Sequence, residues 1–318
     1  MSLEQEIKNY AKMIGMDMCG IAPISRFETS PKGHHPCDVL PGCKSVISIG
    51  VRLIDGAVQG VFRNFEDGDR MAQGIYGTYA YQIGPNFHLL YGVYLIAKFV
   101  EERCGVGTVA MPTHVGPFGA GFHISQRHAA VAAGLGEFGW NSIVLTPEFG
   151  PRNRFGAILV NKELIADPMY DGPKLCDPTK CQICTTMCPS NALSVYGDKP
   201  ARVVEYKDGD KVYHYEYCHV DMDKCRVCAH AMTKKLGAPK DYVAQDDYTH
   251  ASVDAGMNQM YRDAADGPGK NDLQHIPSWK CGRCLAYCPV GHWNERFKET
   301  MLSNSLPVDK NPWGVKKD

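Results

Sequence analysis

One cysteine pattern occurs twice in this chain, and few folds can satisfy it. Cys181-Gln-Ile-Cys184-Thr-Thr-Met-Cys188-Pro189 and Cys281-Gly-Arg-Cys284-Leu-Ala-Tyr-Cys288-Pro289 both read C-x-x-C-x-x-x-C-P. Ten of the 14 cysteines lie between Cys176 and Cys288. A tight C-x-x-C loop places two thiolates on neighbouring corners of an iron–sulfur cubane, and the Cys before Pro reaches across to a second one, as in the bacterial ferredoxin run. That third cysteine is expected to open a helix, because proline suits a first helical turn, where no N–H is needed. Each cubane needs four thiolates, so each motif needs help from upstream. Cys176 is the candidate for the first; Cys225 or Cys228 is the candidate for the second. The resulting sets are Cys176, Cys181, Cys184 and Cys288 on one [4Fe–4S] cluster, and Cys225, Cys281, Cys284 and Cys188 on the other. A pair of structural zinc sites is the rival, but zinc ribbons do not call for a Cys-Pro in both halves. Cys19, Cys37, Cys43, Cys104, Cys218 and Cys228 read as buried or spare thiols.

The rest of the chain is far longer than a ferredoxin needs. With 34 Lys+Arg against 35 Asp+Glu in 318 residues, it carries no global basic field for nucleic acid. No apolar run reaches the roughly 18 residues that span a bilayer, and the first ten residues lack the basic-then-apolar order of a secretory signal. The expectation is a cytoplasmic protein with no membrane attachment.

Helical spacing of Leu3, Ile7, Tyr10 and Ile14 predicts an N-terminal helix, followed by a strand over 18–22. Residues 24–43 read as a loop and 45–51 as a buried strand. A helix is expected over 87–100, the end of another at 128–133, and strands over 142–146 and 155–160. Residues 201–207 and 211–217 flank Asp208-Gly209-Asp210, a hairpin signal. The fold class is α+β, an α/β layer domain over 1–170, with the cysteine-rich domain over 171–300, an inserted hairpin or cap at 190–280, and a C-terminal arm at 301–318.

Gly134-Leu-Gly136-Glu-Phe-Gly139 literally fits G-x-G-x-x-G, yet a helix-prone stretch precedes it, a strand follows, and position 159 is Leu rather than an acid. A dinucleotide site requires the opposite order. The longer run Gly134-Leu-Gly-Glu-Phe-Gly-Trp-Asn-Ser-Ile-Val-Leu-Thr-Pro-Glu-Phe-Gly-Pro-Arg152 resembles the signature of corrinoid iron–sulfur reductases, the epoxyqueuosine reductases and reductive dehalogenases. Residues 40–50, Tyr79-Ala-Tyr81 and His114-Val-Gly-Pro117 are similar as well, and the two cysteine motifs follow in the family's order.

The resemblance implies a nitroreductase-like domain holding cobalamin base-off, joined to a ferredoxin-like 2[4Fe–4S] domain. Electrons from a low-potential donor, a ferredoxin or flavodoxin, would pass through the clusters to cobalt. It places the corrinoid against Gly134, Leu135, Gly136, Gly139, Trp140, Asn141, Ser142, Pro147, Phe149, Gly150 and Arg152, with Tyr79 and His128 nearby. The glycines would let backbone approach the macrocycle. Reductive cleavage also needs a proton, and His114 stands where epoxyqueuosine reductases carry an Asp. Tyr79 and Tyr81 match the tyrosine donor of dehalogenases, and His123 is a further candidate. The expected reaction is reductive elimination or epoxide/C–X cleavage on a small organic molecule. Reduction of tRNA epoxyqueuosine is the alternative within the family, disfavoured by the balanced charge. A polyferredoxin-type electron carrier without corrinoid is the alternative outside it.

Overall fold

A strand buried on both faces needs cover on both, and Ser45–Arg52 is such a strand: every residue but the last is buried. The computed structural model of the chain describes residues 1–61, 74–81, 83–111, 123–236, 238, 240–244, 247–266 and 281–291. Two compact units form, the first from residues 1–52, 84–177 and 202–217, the second from residues 53–83, 178–201 and 218–318. The arm expected at 301–318 lies outside the described residues.

The first unit is built on an antiparallel sheet. Its strands are β1 (Met18–Pro23), β2 (Ser45–Arg52), β3 (Thr108–Ala110) and, beyond the short strands β4 (Glu137–Phe138) and β5 (Val144–Leu145), β6 (Asn153–Val160). They run in the spatial order β1-β2-β6-β3. Ile47 of β2 stands opposite Ile21 and Ile158, so three isoleucines cross the sheet in one row. Because side chains alternate along a strand, β2 and β6 feed two separate cores. Ile47, Ile49, Val51, Ile158 and Val160 pack with α1 (Leu3–Met13) and α2 (Ile83–Cys104). Val46, Phe155, Ala157 and Leu159 pack on the other face with α3 (Gln126–Ala132).

Local chemistry starts and seats these helices. The Ser2 hydroxyl accepts the Gln5 N–H and caps α1, whose Ile7 and Ala11 turn inward. Gly92 lets α2 settle on the sheet, since a Cβ there would stand 2.8 Å from the Met16 sulfur and 3.0 Å from Ile49. The hairpin β7 (Arg202–Asp208) and β8 (Lys211–Tyr217) turns at Gly209 with φ +61° and belongs to this unit. Buried Arg26 holds it, donating to both Asp208 oxygens at 3.1 and 2.9 Å and to the Ala132 carbonyl at 2.6 Å.

Two local expectations need correction. Residues 24–43 contain a 3-10 turn at Ile24–Phe27 and a helical turn at Pro36–Val39, the latter capped reciprocally by His35 and Asp38. The strand expected over 142–146 shrinks to Val144–Leu145, because Ser142 takes a left-handed φ of 65° and the Asn141 side chain accepts the Ile143 N–H.

The second unit contains α4 (Ile183–Thr186), α5 (Met222–Ala229), α6 (His250–Asp266) and α7 (Arg283–Ala286). Val227, Met232, Val243, Val253 and Met260 form one of its apolar clusters. Among the described residues no helix is long and apolar enough to cross a membrane.

The sheet makes a direct prediction. Ile47 is 0% exposed, so Ile47→Ala should cost about 2–5 kcal/mol in equilibrium urea unfolding followed by circular dichroism. A loss below about 1 kcal/mol, the range of a conservative Ile→Val change, contradicts the central position given to β2.

Candidate functional site

The cysteine repeat in the sequence is also a repeat in the backbone. Each C-x-x-C loop runs into a one-turn helix, α4 or α7, and the residues before the two helices take similar angles: φ −122°, ψ 18° at Gln182 and φ −146°, ψ 14° at Gly282. The residues that end them match more closely, with φ −85°, ψ −2° at Met187 and φ −82°, ψ −9° at Tyr287. The two turns pack together. Glycine is required in the second loop, because a Cβ at Gly282 would lie 1.9 Å from the buried Tyr76 hydroxyl.

Three segments bring thiols together here. Cys188 follows α4, Cys225 and Cys228 sit on α5, and Cys281 and Cys284 belong to the second loop. Cys228 hydrogen-bonds to Cys281, which holds Cys281 toward the thiolate. Burial, then the nearby Cys281, Cys188 and Asp221, push the Cys225 thiol up to about 11. Burial, then Cys281, Cys225, Cys184 and Cys188, push Cys284 up as well. Several buried thiolates repel one another, and a cationic core relieves that repulsion. The Cys188 sulfur also accepts the Ala192 N–H at 3.3 Å. Among the described residues no three His, Cys, Asp or Glu side chains close around a single-ion position.

Cys188 does not open a helix as expected. The chain turns at Pro189–Ser190, and Asn191 takes a left-handed φ of 50°. Cys181, Cys184 and Cys288 are half-buried in the second unit, and Cys176 is half-buried in the first.

In the first unit, Cys176 meets the glycine segment. The Trp140 N–H donates to the Cys176 sulfur at 3.3 Å. The Glu137 Oε1 accepts the N–H of Leu175 at 2.6 Å and of Cys176 at 3.0 Å. Burial raises the Glu137 carboxyl, opposed by these two donors and by Lys174. Sequence reasoning missed Glu137, whose partners lie 38 and 39 residues away.

The glycines serve the chain itself. Gly134 has φ +76° and a Cβ there would lie 2.0 Å from the Pro168 carbonyl oxygen. At Gly136 the same distance separates a Cβ from the Leu145 carbonyl oxygen, and at Gly139 a Cβ would crowd Leu145 at 2.9 Å. Close packing on Pro168 and Leu145 therefore requires glycine at these positions. Trp140, Asn141, Ser142, Gly150 and Arg152 are buried, Leu135 and Phe149 half-buried, and Pro147 exposed. Arg127 bonds the Ser142 carbonyl and hydroxyl. Several of the segment's polar groups are thus engaged within the chain.

Of the proton-donor candidates, Tyr79 and Tyr81 belong to the second unit and His123 to the first. His114 lies outside the described residues. His123 is exposed, and its carbonyl accepts from the His34 ring at 2.8 Å. Tyr79 is exposed and Tyr81 half-buried on a π-helical turn, Gly77–Tyr81. His128 sits between Phe138 and Tyr217, with Nδ1 2.7 Å from the Ser125 hydroxyl. Burial, then Arg127, push its imidazole down to about 4, so at neutral pH it is uncharged.

No family model matches the chain. A tetrachloroethene reductive dehalogenase of Desulfitobacterium hafniense is 35% identical over 98 residues, which is 30% of this chain and 17% of that protein. The epoxyqueuosine reductase of Vibrio cholerae serotype O1 is 27% identical over 224 residues, 63% of this chain and 56% of that enzyme. Among solved structures, the catabolic reductive dehalogenase NpRdhA matches 96% of this chain and 34% of its own at TM-score 0.50 and 17% identity. The chain therefore spans about half the length of the epoxyqueuosine reductase it matches, and a smaller share of the dehalogenases.

His128 makes the first unit sensitive to acid. Its proton affinity is lower folded, at about 4, than unfolded, near 6.5, so its contribution is full above pH 6.5 and is lost as the pH falls toward 4. The loss should reach roughly 3 kcal/mol. Urea unfolding at several pH values, with His128→Gln as control, checks this: the control should flatten the slope between pH 6.5 and 4, and an unchanged slope contradicts it.

Proposed function

From its similarity to epoxyqueuosine reductases and reductive dehalogenases, we propose that the chain is an oxidoreductase of that kind, carrying two [4Fe–4S] clusters and base-off cobalamin. In this reading the first 170 residues, apart from 53–83 and joined by the 202–217 hairpin, form a nitroreductase-like corrinoid domain, and the remainder of 171–300 a ferredoxin-like domain. A low-potential ferredoxin or flavodoxin supplies electrons, and the substrate is a small organic molecule that loses a halogen or opens an epoxide.

One observation carries the reading: Cys176, a cluster ligand by motif, accepts its hydrogen bond from Trp140, inside the segment that resembles the family's corrinoid signature. Electron entry and substrate reduction need adjacent parts, and this hydrogen bond joins the two segments. The gathering of Cys188, Cys225, Cys228, Cys281 and Cys284 suits iron–sulfur chemistry by donor type. The corrinoid assignment rests on the resemblance of residues 134–152. When bound, cobalamin supplies a strongly reducing centre for breaking C–X or C–O bonds.

The chain's own residues then have separate tasks. Trp140 and Glu137 fix Cys176. Buried Arg26 and the hairpin it holds cover the aromatic core beneath α3. His114 delivers the proton to the leaving group or the opened ring.

Metal analysis of the anaerobically reconstituted full chain tests the proposal. About eight irons with matching acid-labile sulfide and one cobalt are expected. Zinc in place of iron overturns the reading, and iron without cobalt after incubation with cobalamin leaves an electron carrier instead. His114→Ala should keep iron and cobalt yet lose about 100-fold or more in turnover with titanium citrate as reductant. Unchanged turnover on halogenated phenols and on an epoxyqueuosine stem-loop, each tested separately, removes His114 as the donor.

A further inference from the structure

Glu137 and Trp140 stand three residues apart on one tight turn, and both reach Cys176. The carboxylate takes the backbone N–H of Cys176 and the Trp140 backbone N–H points at the sulfur, at 3.0 and 3.3 Å. A cysteine side chain has a single rotatable bond before its sulfur. Fixing the main-chain nitrogen and the sulfur together therefore fixes the direction in which the thiolate points.

The turn itself has little freedom. Its strands β4 and β5 pair, with Glu137 opposite Leu145, and Gly136 is pressed against the Leu145 carbonyl. Glu137 is only 9% exposed, and its Oε1 also takes the Leu175 N–H. A buried carboxylate is costly unless hydrogen-bonded, and here the bonds go to the segment that carries Cys176.

We propose that Glu137 is the positioning residue for the Cys176 ligand, held in place by the tight glycine turn. This rests on the reading of Cys176 as an iron–sulfur ligand. Glu137 does two things that separate experimentally. As an acceptor it orders Cys176. As a negative charge next to a ligand it disfavours the reduced cluster, which carries one more electron, and so lowers that cluster's potential.

The test uses the full reconstituted chain and two variants, read by iron content, EPR of the reduced protein and redox titration. Glu137→Gln keeps a carbonyl acceptor and loses the charge. It should retain the iron of the unsubstituted chain and raise the potential of one cluster while leaving the other in place. Glu137→Ala loses both roles and should fall to about half of the iron, with one EPR signal gone and the other unshifted. Full iron and unshifted potentials in Glu137→Ala overturn the assignment. If that variant does not fold, unshifted potentials in Glu137→Gln overturn it. An unsubstituted chain that takes up no iron defeats the cluster reading itself, and this assignment with it.

Discussion

The approach of Gly136 to the Leu145 carbonyl is the contact on which the first unit's candidate site depends. With 2.0 Å between a would-be Cβ and that oxygen, no side chain fits, and the turn between β4 and β5 closes as tightly as backbone allows. Glu137 leaves the turn on its first strand, and Trp140 follows where the chain reverses. Their hydrogen bonds converge on Cys176. Packing requires the glycines, and placement of a thiol follows from the packing. The sheet supplies the foundation: β6 leaves this region directly and lies against β2 over eight residue pairs, so the turn is anchored to the most buried strand of the unit.

The second unit obeys a different constraint. Its thiols are too buried to ionise together easily. A domain of that kind gains stability from what its thiols bind, because metal binding and folding draw on the same free energy. Cys228 adds a further donor beside Cys281. Its hydrogen bond gives the sulfur environment a feature that four-cysteine counting leaves out, and hydrogen bonds to ligand sulfurs are among the levers that set cluster potential.

Much of the fold was legible because its signals are local. The apolar runs at 45–51 and 155–160, the spacing of Leu3, Ile7, Tyr10 and Ile14, and the turn residues at 208–210 each act over a few positions, and each emerges as an element. The assignment of the hairpin to the first unit was not legible, since it depends on Arg26 meeting Asp208 across 182 positions. Glu137 was hidden for the same reason. The close packing of the glycines was not legible either, because motif resemblance names positions without saying what fills the space beside them. Cys188 shows a local misreading: Pro189 permits a helix start, but the left-handed Asn191 ends that possibility two residues later.

At the centre of this account is an iron–sulfur identity for the thiols, with two cubanes per chain. Mössbauer spectroscopy of ⁵⁷Fe-enriched protein addresses it without reliance on activity or substrate. Essentially all iron should fall in the valence-delocalised doublets of [4Fe–4S]²⁺, and reduction should convert two such sites. Iron found mainly as mononuclear high-spin Fe(II) tetrathiolate would contradict the account.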